Sequence, residues 1–105
     1  MRHAKRTDAN HAAIRQAFRD LGWTVEDLSH VGHGVPDLYV ERVEGHSKSE
    51  YGTRWLRAEF IEVKDGSKPP SARRVTKDGQ WFHELLRRAG VTVRVIERVE
   101  QVAEL

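Results

Sequence analysis

The segment Phe60-Ile61-Glu62-Val63-Lys64-Asp65-Gly66 decides the fold. Its residues alternate as those of a half-buried β-strand do, with Ile61 and Val63 on one face and Glu62 and Lys64 on the other. An acid and a lysine at alternate positions of a strand emerge side by side, roughly 6–7 Å apart. The pattern predicts a strand with one apolar face for the core and one polar face for a functional site.

A second acid precedes this strand, in Gly34-Val35-Pro36-Asp37-Leu38. Because proline is tolerated only at the start of a strand, the strand is predicted to begin at Asp37. If a hairpin pairs the two strands, Asp37 reaches the same end of the polar face as Glu62. Two carboxylates at one place repel each other unless a cation lies between them, and their oxygens suit Mg²⁺. The alternative is an ordinary solvent-facing pair, Glu62 and Lys64, with Asp37 as a turn residue.

Helical periodicity appears on both sides of these strands. Ile14, Ala17, Phe18 and Leu21 share one face of a predicted helix. The predicted helices cover Thr7–Leu21, capped by Thr7, and the segment from a Thr76 cap to Ala89; the predicted strands cover Trp23–Leu28, Asp37–Val43, Trp55–Lys64 and Val91–Ile96; and one or two helical turns cover Val99–Leu105. The order α-β-β-β-α-β-α, with a helical crossover before the last strand, predicts an α/β fold with a mixed β-sheet flanked by helices.

Aromatic and aliphatic residues of the second helix also recur at helical spacing. Trp81, Phe82, Leu85 and Leu86 are predicted to form a stripe that faces the core. The three tryptophans are interpreted as core or dimer contacts rather than as platforms for stacked bases: they are Trp23, Trp55 and Trp81.

Length and composition predict one soluble domain. The chain has 105 residues, of which 38% are hydrophobic and 32% charged, and it has no cysteine. Disulfides and thiolate metal sites are therefore excluded. A single domain over residues 1–105 is expected, with a basic tail at 1–6, a hairpin loop at 44–54 and a basic loop at 65–75. Neither a secretory signal nor an apolar run of roughly 20 residues is visible, so a cytoplasmic protein without a membrane contact is expected.

The formal net charge of +2 does not by itself indicate a nucleic acid partner, but its distribution does. Positive residues gather in the first fifteen positions and in the loop that follows Lys64, where a phosphate backbone could lie. A solvated basic loop is the alternative, and helix capping alone would explain Thr76. The residues predicted to contact nucleic acid are Arg6, Lys68, Ser71, Arg73, Arg74 and Lys77.

The two acidic segments together resemble the bipartite signature of the PD-(D/E)XK nuclease superfamily. The resemblance is closer to small phage-type nucleases of the VRR-NUC and archaeal Holliday-junction-resolvase kind. Segments similar to Thr7-Asp8-Ala9-Asn10 and to residues 68–76, with a glutamine like Gln80 early in the next helix, extend it over residues 7 to about 96. It implies a restriction-endonuclease-like core.

The resemblance also implies a chemistry. Asp37, Glu62 and the main-chain carbonyl of Val63 would bind Mg²⁺ or Mn²⁺, and Lys64 would be the catalytic lysine. The implied activity is a metal-dependent endonuclease acting on DNA, structure-selective for branched or four-way-junction DNA, without an organic cofactor. Relatives of this kind act as symmetric homodimers, and a phage gene expressed in a bacterial host is the implied origin.

The first helix departs from the family pattern, which often has a metal-binding glutamate there. The aligned position holds His11, the nearest acid is Asp8, and Asn10 is the polar residue nearest the apolar stripe. Which of the three contributes to the site is left open. Gln80 is a candidate for contact with the lysine or the attacking water.

Two further interpretations compete with the nuclease. A nucleic-acid-binding module without catalysis would keep the basic loop and a vestigial acidic pair. A zinc site at His30 and His33 lacks a second pair of ligands at suitable spacing.

Overall fold

The computed structural model describes residues 8–45 and 52–105 of the chain. A mixed sheet of four strands lies at its centre, between helices. The α-helices are α1 (His11–Asp20) and α2 (Lys77–Arg88), the strands are β1 (Thr24–Asp27), β2 (Leu38–Gly45), β3 (Arg54–Val63) and β4 (Val93–Ile96), and two 3-10 helices cover Pro70–Ala72 and Val99–Glu104. The predicted mixed α/β fold and its order of elements are confirmed, with a 3-10 helix as the last element.

The strands lie in chain order, β1-β2-β3-β4. The first three pair antiparallel, and β4 pairs parallel to β3 after the α2 crossover. A parallel neighbour requires such a crossover, as the sequence predicted. Leu38 pairs with Ile61 in the β2–β3 register, so Asp37, one residue earlier, stands opposite Glu62, one residue later.

The hydrophobic core lies between α1 and one face of the sheet. Ile14 and Phe18 of α1 are fully buried, as are Leu38 of β2 and Ile61 of β3. Trp23 packs edge-on against Phe18, with ring centroids 5.8 Å apart. The predicted alternation at the end of β3 is therefore confirmed: Ile61 and Val63 enter the core, and Glu62 lies on the opposite face, toward α2.

The first helix begins four residues later than predicted. Its prediction ran from Thr7 to Leu21, but the backbone amide of His11 donates to the carbonyl of Asp8 in a turn before the helix. The side chain of Asn10, at the N-cap position, bonds to carbonyls outside the helix instead of capping it. Thr7, predicted as the cap, lies outside the described residues, as does the basic tail at 1–6.

Strand ends also differ from the predictions. β2 continues to Gly45 and β3 begins at Arg54, because these two residues still pair with each other in the ladder. The hairpin loop is thus shorter than the predicted 44–54, and residues 46–51 of it lie outside the described residues. At β4, the predicted strand began at Val91, but the amide of Val91 donates to the Leu86 carbonyl and closes the end of α2.

The predicted core-facing stripe of the second helix was wrong for two of its four residues. Trp81 and Leu85 are 65% and 48% exposed. The side of α2 that faces the sheet carries Gly79 and His83 instead, together with the partly buried Phe82. Trp55 is also exposed, so of the tryptophans only Trp23 joins the core. Among the described residues, no helix has the length and apolar content needed to span a membrane.

A polar cluster fastens α1 to the end of β1. Oδ2 of Asp27 contacts Nε2 of His11 at 3.0 Å and Nη1 of Arg15 at 2.6 Å. Its Oδ1 accepts from the backbone amide and the hydroxyl of Ser29. Burial alone would raise the pKa of Asp27, but these hydrogen bonds outweigh it and hold the pKa well below its usual value of 3.8. The charged form of Asp27 therefore stabilises the fold.

Replacing Asp27 by asparagine should lower the free energy of unfolding at neutral pH by about 1–3 kcal/mol, because asparagine is uncharged and keeps only one acceptor oxygen for His11, Arg15 and Ser29. A depressed folded-state pKa contributes stability that is present above the unfolded value of 3.8 and is lost below it. The difference between wild type and Asp27→Asn should therefore narrow as the pH falls below that value. Urea denaturation at several pH values measures it, with the exposed neighbour Glu26→Gln as control. An Asp27→Asn protein as stable as Glu26→Gln at neutral pH would contradict this role.

Candidate active site

Two carboxylates meet at the junction of β2 and β3. Asp37 and Glu62 are only 5% and 6% exposed. Opposite residues of an antiparallel pair share one face, with Cβ atoms about 4.5–5.5 Å apart. Oδ2 of Asp37 also accepts a hydrogen bond of 2.8 Å from the backbone amide of Val63, the residue next to Glu62. The hairpin thus gathers two buried acids on the face opposite the α1 core.

A lysine and a histidine flank the Glu62 carboxylate. Nζ of Lys64 lies 3.7 Å from Oε1 of Glu62, and Nε2 of His83 lies 3.6 Å from Oε2. Burial lowers the pKa of His83 below its usual 6.5, and the positive charge of Lys64 lowers that pKa further. The imidazole is therefore neutral near pH 7. One oxygen of Glu62 faces a cation and the other faces a neutral ring.

A cleft of about 450 Å³ opens over Glu62 and Lys64. Glu62 and Lys64 form its floor at the sheet. One wall is the loop His30–Gly34, and the other is the start of α2 with Thr76, Asp78 and Gly79. The hydroxyl of Thr76 accepts from the amide of Gly79 at 3.1 Å, which confirms Thr76 as the helix cap.

The loop wall packs against α2 through a glycine that cannot be replaced freely. Gly34 has a φ of +81°, and a Cβ built there would lie 2.3 Å from the carbonyl oxygen of Asp78. Gly32 has a similar φ of +70°, but a Cβ there would have open space. The close approach of loop and helix at Gly34 sets the width of the cleft.

The three candidates near the first helix lie in different places. Asp8 pairs with Lys68, whose Nζ is 3.6 Å from its Oδ1. His11 is buried and directed to Asp27, away from the strand that carries Glu62. The side chain of Asn10 bonds to main-chain carbonyl groups near the site.

The side-chain amide of Asn10 bonds to two carbonyls at once. Its Nδ2 donates to the carbonyl of Lys64 at 3.0 Å and to that of Glu97 at 2.9 Å. Lys64 directly follows β3 and Glu97 directly follows β4, so Asn10 links the ends of these two strands. It supports the backbone of Lys64 and adds no acid to the cleft.

None of the remaining predicted residues that the structure describes lines the cleft. Gln80 is exposed and donates to the Val75 carbonyl at 3.0 Å. Arg73 is paired with Glu97, as Lys68 is with Asp8. Ser71, Arg74 and Lys77 are exposed, and Arg6 lies outside the described residues. The structure does not test the roles of these residues, which stay predictions.

His83 was not found by sequence reasoning. It follows Thr76 and Gly79 at seven and four positions, so all three share one side of α2. The assignment of Thr76 as the helix cap was enough to place His83 on the same side of α2 as Thr76. The prediction missed His83 because it assigned the apolar residues of the helix to the side that faces the sheet.

The donor set of the site fits a hard divalent cation. Within residues 8–45 and 52–105, no group of three or more histidines or acids is arranged to hold a metal ion. Mg²⁺ is commonly bound in enzymes through one or two carboxylates, with water and substrate phosphates completing its shell. Asp37 and Glu62 supply such a pair of oxygen donors, buried and adjacent.

Comparison with known proteins agrees with this fold. The family profile of the VRR-NUC domain matches residues 5–100. The chain therefore belongs to the VRR-NUC family, which is part of the PD-(D/E)XK-like nuclease superfamily. A solved structure described as a VRR_NUC domain is similar, with 28% sequence identity, a TM-score of 0.55, and coverage of 93% of this chain and 95% of that chain. No curated protein matches the chain. The nuclease fold expected from the two motifs is confirmed.

Alanine at Gly34 should be far more disruptive than alanine at Gly32. Both residues have a left-handed backbone, which costs an L-residue about 1–2 kcal/mol. Only at Gly34 must the backbone of Asp78 also move, because a Cβ would overlap its carbonyl. Thermal unfolding of the two variants measures the difference. Equal losses of stability would show that the loop does not pack against α2 at Gly34.

Proposed function

We propose that this protein is a Mg²⁺- or Mn²⁺-dependent endonuclease that hydrolyses DNA phosphodiester bonds, with a preference for branched DNA such as four-way junctions. The observation that carries the proposal is the juxtaposition of two buried carboxylates with a lysine ammonium. Asp37 and Glu62 are opposite one another on paired strands, and Lys64 approaches Glu62 at 3.7 Å. Membership of a nuclease family supports this reading of the site.

The acids have a defined task in this mechanism. Asp37 and Glu62 would hold the divalent cation, with the main-chain carbonyl of Val63 as a third donor. The cation, when bound, supplies Lewis-acid stabilisation of the charge that develops on the phosphoryl group. The hydrogen bond from the Val63 amide leaves one oxygen of Asp37 occupied and fixes the orientation of the other. Burial strengthens the attraction between this acidic pair and a cation, since water screens it less.

The lysine acts on the phosphate rather than on the cation. Its side chain is 14% exposed and lies at the floor of the cleft. An ammonium there can donate a hydrogen bond to the attacking water or offset negative charge on the phosphoryl oxygens. Asn10 holds the carbonyl of Lys64, which limits movement of the backbone from which the side chain rises.

The DNA backbone would cross the cleft beside the start of α2. Arg74 and Lys77 are exposed and flank Thr76, which lines the cleft. Such positive side chains supply affinity that is independent of sequence and sensitive to salt. Lys68 and Arg73 are already paired with acids, so binding DNA through them would require breaking those pairs.

Action on branched DNA requires two cuts, and a symmetric pair of subunits supplies two sites. We therefore infer a homodimer. The exposed apolar side chains Trp81 and Leu85 on the outer side of α2 support an apolar contact between copies.

A binding module without catalysis is the second candidate function. It is favoured by the arrangement before and within α1, where Asp8 pairs with Lys68 and His11 with Asp27. Neither side chain then completes a cation shell with Asp37. Such a module would bind nucleic acid in a salt-sensitive way and would not cut it.

Cleavage separates the two candidates. Junction, flap and linear DNA incubated with Mg²⁺ or Mn²⁺ should be cut by the wild type and not in the presence of chelator. Asp37→Asn and Lys64→Ala should each lower the rate by at least about 100-fold, because each removes charge placed for the transition state. Asp20→Asn, which removes an exposed carboxylate on α1, should retain the wild-type rate. Salt-sensitive binding without any cutting would establish the binding module instead.

Binding of DNA should weaken when the exposed basic residues beside the cleft are removed. Arg74→Ala and Lys77→Ala should each reduce affinity uniformly across sequences and lower the salt-dependence slope by about 0.9, the value for one phosphate contact. Arg19→Ala, an exposed arginine on α1, serves as the control. Fluorescence anisotropy over a range of salt concentrations measures the slopes. Unchanged slopes in both variants would exclude this path for the DNA.

A further inference from the structure

The Glu62 carboxylate is held from two sides without a full hydrogen bond from either flanking nitrogen. Lys64 lies at 3.7 Å from one oxygen and His83 at 3.6 Å from the other. Both distances exceed that of a good hydrogen bond. A buried carboxylate is costly unless polar or charged groups surround it, and Lys64 and His83 are two such groups.

His83 has a buried nitrogen with no hydrogen-bond partner among the residues that the structure describes. This nitrogen, Nε2, is inaccessible to solvent and faces Oε2 of Glu62. In the tautomer that carries its proton on Nε2, the ring is a donor aimed at that oxygen. The separation of 3.6 Å exceeds a hydrogen bond by only about a few tenths of an ångström, so a small movement of either side chain would complete the bond.

The rest of the ring is held in place by its position on α2. His83 lies one turn after Gly79, on the same side of the helix, and its side chain is 21% exposed. It also lines a second cavity of about 370 Å³ with Arg87 and Val93. The helix therefore brings the His83 ring to one oxygen of Glu62, while Lys64 approaches the other oxygen.

We propose that His83 is a positioning residue, whose imidazole Nε2 holds Glu62 in the orientation in which Glu62 and Asp37 together bind a divalent cation. The proposal rests on the proposed function. His83 acts through Glu62 and touches neither the DNA nor the reacting phosphate. Mutation of a residue that orients a metal-binding side chain typically lowers metal affinity by about 10- to 100-fold.

Two amide substitutions at position 83 test whether the position of the hydrogen-bond donor matters, or only the polarity of the side chain. The side-chain nitrogen of glutamine can reach the place of the imidazole Nε2, whereas that of asparagine is shorter and falls near the place of Nδ1. His83→Gln should bind Mn²⁺ within about threefold of wild type, and His83→Asn should bind it about tenfold more weakly. Gln16→Asn, at an exposed residue of α1 that does not line the cleft, is the control and should bind as wild type does.

The measurement is Mn²⁺ binding to the full chain without DNA, by titration calorimetry, with unfolding midpoints recorded for each variant. Weaker Mn²⁺ binding by His83→Asn, together with near-wild-type binding by His83→Gln and similar unfolding midpoints, supports the positioning role. Equal affinities for wild type and His83→Asn would overturn that role and leave the proposed function standing. Equal weakening of both amide variants would also overturn it. A wild type that binds no Mn²⁺ would overturn the proposed function and the role of His83 together.

Discussion

The pairing of β2 with β3 is the constraint on which the site depends. Its register places Asp37 opposite Glu62, and the hydrogen bond from the Val63 amide to Asp37 fastens the two strands at that end. A slip by one residue would turn every side chain of β3 to the other face. The apolar residues that enter the core therefore also determine that the acids meet beneath the cleft. The β2–β3 ladder therefore specifies both the fold and the positions of the two acids.

Much of the fold could be predicted from the sequence because its signals are local and periodic. The alternation around Glu62, the proline before Asp37 and the cap at Thr76 each act within a few residues, and the structure has all three features. The ends of elements were less predictable. The start of α1 depends on Asn10, whose side chain bonds to carbonyls of distant segments and leaves the helix uncapped. Such a contact has no local signature.

Only the residues that the strands contribute to the site could be predicted from the sequence. The positions of Asp37, Glu62 and Lys64 follow from strand alternation and hairpin pairing. The contribution of α2 does not, because it depends on which side of the helix meets the sheet. That side carries Gly79 and His83, and hydrophobicity alone favoured the side with Trp81, which the structure exposes. Close packing against the glycine loop, rather than apolar burial, determines how this helix lies.

The central claim is that Asp37 and Glu62 share one divalent cation. The most direct measurement is anomalous X-ray diffraction from crystals of the protein grown with Mn²⁺. The account predicts an anomalous peak between the two side chains, with an oxygen of each carboxylate bound to the ion. A peak bound elsewhere, or carboxylates that remain apart with no ion between them at saturating Mn²⁺, would contradict it.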